Sequence, residues 1–90
     1  MSRTTDDLLD AVRGAVAVVL DVEPASLTPS TRLREDLHAD SLALVEIAER
    51  LERDVAARAP GFSVADDELD AVSTVADAVE LAVRRLAELR

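Results

Sequence analysis

Apolar residues recur at helical spacing in three stretches of the chain, and each stretch predicts one long helix. The first helix is predicted from about residue 5 to 21, the second from Ser41 to about Arg58, and the third follows Thr74. The apolar positions, in the same order, are Leu8, Val12, Ala15, Val16 and Val19; Leu44, Ile47, Ala48, Leu51 and Val55; and Val75, Val79, Ala82, Leu86 and Leu89. One apolar face per helix indicates helices that pack around a shared core.

Capping residues precede the three helices, and prolines follow the first two. The start signals are Thr4-x-x-Asp7, Asp40 or Ser41, and Thr74-x-x-Asp77. Glu23-Pro24 and Pro60-Gly61 are expected to end the first and second helices, because the residue before a proline avoids the helical region. A short helix of one or two turns is predicted within residues 64–72, around Asp66-Asp67-Glu68-Leu69-Asp70.

A long connection, from Glu23 to about Ala39, separates the first two helices. A loop of this length must be anchored or mobile, and we expect Leu27, Leu33 and Leu37 to anchor it in the core. The fold class predicted is therefore all-α: a four-helix bundle with three longer helices, one short helix and a long first loop. Ninety residues suffice for one domain, so residues 1–90 are expected to form a single unit.

Composition excludes several classes of function. The formal net charge is −9, and Phe62 is the only aromatic residue, so a nucleic-acid partner is not expected. There is no cysteine, which excludes a disulfide framework, a thiol nucleophile and a cysteine-based zinc site. No apolar run approaches the length of a membrane span, and no secretory segment opens the chain, so we expect no membrane association and a cytoplasmic location.

The second helix has another face that is polar, strongly acidic and interrupted by two apolar residues. Residues 35–52 hold six acidic residues against one arginine, and Leu42 and Val45 lie among them. Such a surface suits association with basic partners. A solvated acidic face with two incidental exposed aliphatic residues is the alternative.

Ser41 lies where the long loop meets the second helix. A hydroxyl at a helix start is accessible, and the first-turn amides there favour a phosphate. An ordinary helix-capping serine is the alternative.

The residues around Ser41 resemble the attachment region of acyl carrier proteins. The resemblance is carried by Glu35-Asp36-Leu37-His38-Ala39-Asp40-Ser41-Leu42, followed by Val45-Glu46-Ile47, and it extends over nearly the whole chain. It implies that Ser41 carries 4′-phosphopantetheine, transferred from coenzyme A by a phosphopantetheinyl transferase that recognises Asp40. The resemblance also implies that the arm holds acyl groups as thioesters and that the chain is a carrier and not an enzyme. The partner-binding residues implied are Leu42, Val45, Glu46, Glu49, Glu52 and Asp36.

Three features depart from the family pattern and bear on the partners. His38 stands where glycine is common, Glu49 stands where an apolar residue is frequent, and the connection over residues 56–64 is longer than in fatty-acid carriers. We expect a free-standing carrier from the start at Met1 and the end at Arg90, and we expect it to be monomeric. The use of arginine without lysine, together with the unusual loop, favours a polyketide or related natural-product pathway over fatty acid synthesis. The resemblance implies acyltransferase, ketosynthase or acyl-ligase type enzymes as partners besides the transferase.

Other functions were weighed against the carrier. The two that stay closest to it are a peptidyl carrier of a nonribosomal pathway and an unmodified carrier-like helical scaffold. A serine hydrolase would need His38, the only histidine, as the base for Ser41, and the chain has no Gly-x-Ser-x-Gly elbow. The acidic run from Asp66 to Asp70 lacks the glycine and alternating ligands of a calcium-binding loop.

Overall fold

The computed structural model describes the backbone of residues 3–89 and the side chains of residues 5–89. Three α-helices dominate this part of the chain: α1 (Arg3–Leu20), α2 (Ser41–Ala56) and α3 (Val75–Ala87). A short 3-10 helix, Asp66–Ala71, lies between α2 and α3, and a single 3-10 turn, Pro24–Ser26, lies in the first loop. The predicted all-α class, with three longer helices and one short helix, is confirmed.

The core is built from aliphatic side chains of all three helices. α1 packs against both α2 and α3, and Val12, Val16 and Val75 are fully buried where the helices meet. Every apolar residue predicted for the buried face of α2 is buried. No helix within residues 3–89 is long and apolar enough to span a membrane.

The end of α1 agrees with the sequence pattern to within one residue. The helix stops at Leu20, and the Val22 amide donates to the Ala17 carbonyl at 3.1 Å, which closes the last turn. Asp21 takes a left-handed conformation there, with φ of 56°. This arrangement is a Schellman-type helix end. The predicted Thr4 cap lies outside the described side chains, and the helix begins at Arg3, slightly before the expected start.

Two expectations for the other helix ends were wrong. α2 ends at Ala56 instead of Arg58, because the chain turns before Pro60 and adopts a positive φ at Gly61. Leu89 was expected on the apolar face of the third helix, but α3 ends at Ala87 and Leu89 is 45% exposed beyond it. The pattern also missed Leu81, which is buried beside the predicted stripe.

The long first loop is held against the start of α3 by backbone hydrogen bonds. The amides of Leu33, Val75 and Ala76 donate to the carbonyls of Ser73, Thr31 and Pro29 at 2.9, 3.0 and 2.9 Å, respectively. Because the first amides of a helix have no partner within it, the loop supplies acceptors that α3 needs. Leu27 and Leu33 are buried and Leu37 is half-buried against the core, which confirms their predicted anchoring.

Candidate functional site

Residues 33–39, the last part of the first loop, lead into α2 in a closed turn that is anchored at both ends. The Ala39 amide donates to the Leu33 carbonyl at 3.0 Å, which closes the segment between them. Leu33 and Ala39 are themselves buried, so both ends of this closed segment are anchored in the core. Ser41, two residues after Ala39, is the first residue of α2 and is exposed.

Asp40, not Ser41, caps the second helix. One carboxylate oxygen of Asp40 accepts from the Ala43 amide at 2.8 Å, and its carbonyl accepts from the Leu44 amide at 3.0 Å. Sequence alone allowed either residue to cap, because both side chains can accept from a first-turn amide. With Asp40 in that role, the Ser41 hydroxyl makes no hydrogen bond within the described residues and is accessible from solvent.

His38 adopts the left-handed region, with φ of 59°. Residues with a Cβ rarely take this conformation, whereas glycine takes it without steric cost. The loop therefore keeps a glycine-type turn at the position where histidine stands in place of the family's common glycine. The imidazole is exposed.

Asp36 stabilises the loop before the serine. Its carboxylate accepts from the Arg32 amide at 2.9 Å and pairs with the Arg32 guanidinium at 3.2 Å. The amide hydrogen bond from Arg32, and then its guanidinium, hold the pKa of the Asp36 carboxyl below its ordinary value. Glu35 also pairs with Arg32. Asp36 is exposed, so a partner could reach it, but it already has a role in the shape of the loop.

The residues predicted for partner binding on α2 differ in how freely they are presented. Leu42 is 66% exposed, and Glu46 and Glu49 are exposed on the same side of the helix. Val45 is half-buried and packs against the core. Glu52 is also half-buried, and its carboxylate accepts from the Val64 amide at 2.8 Å, which ties the following connection to α2.

The connection between α2 and the short helix is ordered by contacts that the sequence did not reveal. Phe62 and Val64 are buried in it. Arg85 of α3 donates to the Ser63 carbonyl at 3.1 Å and pairs with Glu68 of the short helix at 3.6 Å. No spacing rule links Arg85 to residues so distant in the chain, so only the tertiary structure identifies this contact. Within the described side chains, no three histidine, aspartate or glutamate residues are grouped as a metal site requires.

Comparison with known proteins identifies the family. A family model described as "Phosphopantetheine attachment site" matches residues 10–82. An acyl carrier protein of Rubrobacter xylanophilus is 36% identical over 78 residues, which cover 87% of this chain and 90% of that protein. The chain belongs to the acyl carrier protein family. An acyl carrier protein of Thermosynechococcus vestitus is 32% identical over 81 residues, covering 90% of this chain and 94% of that protein.

One relative of this acyl carrier protein bears a pathway in its name. The "Polyketide-8 synthase acyl carrier protein 2" of Streptomyces avermitilis is 35% identical over 92 aligned positions, which cover both chains completely. The chain is thus a phosphopantetheine carrier that works with biosynthetic enzymes of fatty acid or polyketide synthesis. It is a carrier protein and not an enzyme, and the serine hydrolase alternative is set aside.

Proposed function

We propose that Ser41 is the attachment residue of this carrier and holds 4′-phosphopantetheine as a phosphodiester. The observation that carries the proposal is the division of roles at the start of α2. Asp40 caps the helix through the Ala43 amide, so the exposed Ser41 hydroxyl is not needed for the fold. A hydroxyl that is anchored in position but free of internal hydrogen bonds is available to a transferase.

The surroundings of Ser41 fit a phosphodiester. In the described structure the amides of Ser41 and Leu42 have no hydrogen-bond partner, and both belong to the first turn of α2. Unpaired amides and the helix dipole favour an anion at this end of a helix. When attached, the arm supplies a terminal thiol for thioesters, a group that this cysteine-free chain cannot supply itself. Asp40 lies beside Ser41, and we propose that the transferase recognises it.

The exposed residues of α2 next to Ser41 form the proposed docking face, defined as Leu42, Glu46 and Glu49. An exposed leucine among acidic side chains suits a partner surface with an apolar spot and a basic rim. Val45 supports this face from below, whereas Glu52 and Asp36 contribute mainly charge because their carboxylates also hold the fold. The partners proposed are the phosphopantetheinyl transferase and acyltransferase, ketosynthase or acyl-ligase type enzymes.

Polyketide synthesis is the pathway that we favour. The support is the Streptomyces avermitilis relative, which is named as a polyketide synthase acyl carrier protein and whose alignment covers both chains completely. The peptidyl carrier alternative has no comparable support. The monomeric state, the single domain over residues 1–90 and the cytoplasmic location stay predictions from the sequence.

A loading assay with matched serine variants tests the attachment. The chain is incubated with coenzyme A, magnesium and a promiscuous phosphopantetheinyl transferase, and its intact mass is measured. Wild type and Ser63→Ala are expected to gain roughly 340 Da, whereas Ser41→Ala gains nothing. Ser63 is an exposed serine outside the proposed site, which makes it the control.

Far-UV circular dichroism verifies that Ser41→Ala stays helical. Full loading of this variant would exclude Ser41, and no loading of wild type would favour the unmodified scaffold.

A further inference from the structure

Arg32 is held by backbone hydrogen bonds on both sides against the start of α3. The Thr31 carbonyl accepts from the Val75 amide at 3.0 Å, and the Leu33 amide donates to the Ser73 carbonyl at 2.9 Å. These bonds belong to an antiparallel bridge at Arg32. Val75 and Leu33 are fully buried, so the backbone of Arg32 is anchored to the core.

From this anchored position, Arg32 holds Asp36 through three hydrogen bonds. The Arg32 amide donates to one carboxylate oxygen of Asp36 at 2.9 Å, and the Arg32 guanidinium donates to the other at 3.2 Å. The Asp36 amide donates to the Arg32 carbonyl at 2.8 Å. The guanidinium also pairs with Glu35. Backbone and side chain therefore act together in what we call the Arg32–Asp36 pair, defined by these three hydrogen bonds.

The Arg32–Asp36 pair lies within the loop that closes two residues before Ser41. Leu33, which follows Arg32, accepts the hydrogen bond of the Ala39 amide at 3.0 Å. Asp36 is midway between the two ends of this closed loop. The middle and the end of the loop are therefore tied to the same anchored segment.

Few other contacts hold the middle of this loop. Leu37 is half-buried against the core, whereas Arg34 and His38 are exposed and make no hydrogen bond or ion pair within the described residues. Segments with few buried contacts open locally at a small cost in free energy, so one tie can change how often the loop is closed. The Arg32–Asp36 pair is exposed, and an exposed ion pair adds little to the stability of a whole protein. Its effect is therefore expected in the loop before α2 and not in the overall fold.

We propose that Arg32 is a positioning residue for the attachment reaction, acting through Asp36 to keep the Ser41 hydroxyl in the geometry that the transferase binds. This inference rests on the proposed attachment at Ser41. Arg32 and Asp36 need no contact with the serine or with coenzyme A, because they act on the loop that leads to the serine. The apparent affinity of the transferase for the carrier falls with the fraction of molecules in that geometry. Loss of the pair therefore raises KM for the carrier and leaves kcat unchanged.

Steady-state loading, with coenzyme A and a promiscuous phosphopantetheinyl transferase, tests the role of Arg32. Arg32→Ala should raise KM for the carrier by about two- to fivefold, the range expected for loss of an exposed ion pair. Asp36→Ala also removes the acceptor of the Arg32 amide, so its KM should rise further. The double variant should match Asp36→Ala, because Arg32 acts through Asp36.

Arg34→Ala is the matched control for Arg32→Ala. It removes the same positive charge from an exposed residue of the same loop that has no ion pair within the described side chains. If attraction to a basic transferase alone set the rate, both variants would load faster, because each makes the carrier more acidic. Positioning predicts slower loading for Arg32→Ala and not for Arg34→Ala.

The outcomes separate the role of Arg32 from the attachment itself. If wild type loads at Ser41 and Arg32→Ala has the same or a lower KM, the role of Arg32 is overturned and the attachment stands. An equal rise in Arg34→Ala, or effects of Arg32→Ala and Asp36→Ala that multiply in the double variant, would overturn it too. Far-UV circular dichroism verifies that the variants stay helical, and Arg32→Gln replaces Arg32→Ala if that variant does not. Failure of wild type to load would overturn both proposals.

Discussion

At the start of α2, one of two adjacent polar residues caps the helix and the other is left free of internal hydrogen bonds. Asp40 provides the helix cap through its bond to the Ala43 amide, and Ser41 stays exposed. The sequence predicted that a cap lies here but could not say which residue forms it, because aspartate and serine are equally good caps. The structure shows that the Asp40 carboxylate is the cap and that the Ser41 hydroxyl is not.

Replacement of His38 should show how much the positive φ at this position lowers the free energy of unfolding. His38→Gly removes the steric cost of the positive φ but loosens the unfolded chain, so the free energy of unfolding should stay level or rise by up to about 1 kcal/mol. His38→Val should lower it by about 1 to 2 kcal/mol, because a β-branched residue fits this conformation poorly. Urea unfolding followed by circular dichroism measures both. A large loss in His38→Gly would mean that the imidazole supports the fold.

Among the helices and loops, side-chain hydrogen bonds to backbone amides stabilise the connecting segments. The third helix begins with a capping box: Thr74 accepts from the Asp77 amide at 3.1 Å, and Asp77 accepts from the amides of Thr74 and Ser73 at 3.0 and 2.9 Å. The Thr74-x-x-Asp77 spacing predicted this cap correctly. The same turn receives the first loop, so the cap also stabilises the loop that leads to Ser41.

The Asp77 cap should make the stability of the protein depend on pH. Hydrogen bonds from the Thr74 and Ser73 amides lower the pKa of the Asp77 carboxyl. Its contribution is therefore complete above the ordinary aspartate pKa of about 3.9 and is lost as pH falls through the lowered value. Asp77→Asn should cost about 1 kcal/mol at pH 7, and the difference from wild type should shrink below about pH 4. Glu80→Gln, an exposed site on the same helix, serves as control. A pH-independent difference would contradict this account.

Glu52 should behave as a structural residue, unlike its neighbour Glu49. Its carboxylate accepts from the Val64 amide, so Glu52→Ala leaves that amide without its partner and should lower the free energy of unfolding by about 1 to 2 kcal/mol. Glu49→Ala, at an exposed position one turn earlier, should change it by less than about 0.5 kcal/mol. Urea unfolding, with hydrogen exchange at Val64, tests the pair. Equal effects of the two substitutions would rule out this role for Glu52.

For the whole molecule, local sequence patterns predicted the helices but not the long-range ties between them. The stripe of α2 was identified completely because its buried face follows one helical period. Leu89 was misplaced because the pattern does not show that α3 ends at Ala87. The Glu52–Val64 and Arg85–Ser63 contacts join residues 12 and 22 positions apart, and such pairs depend on the tertiary path of the chain.

The acidic character of the molecule should govern how fast partners associate with it. With a net charge of −9, encounter with a basic partner is expected to slow as salt screens the attraction. Glu46→Arg on the proposed docking face should reduce the loading rate by the transferase and flatten its salt dependence. Glu80→Arg makes the same change in charge on an exposed position of α3 and should have a smaller effect. Equal effects would mean that net charge, not the α2 face, directs the encounter.

The assignment of Ser41 as the attachment residue can be tested by mapping the modification on the wild-type chain. Trypsin cleaves after Arg34 and Arg50, and the peptide between these sites contains Ser41 as its only serine, threonine or tyrosine. After loading, we expect a gain of roughly 340 Da on this peptide and on no other. An added mass on any other peptide, or an unmodified 35–50 peptide from a loaded protein, would contradict the assignment of Ser41.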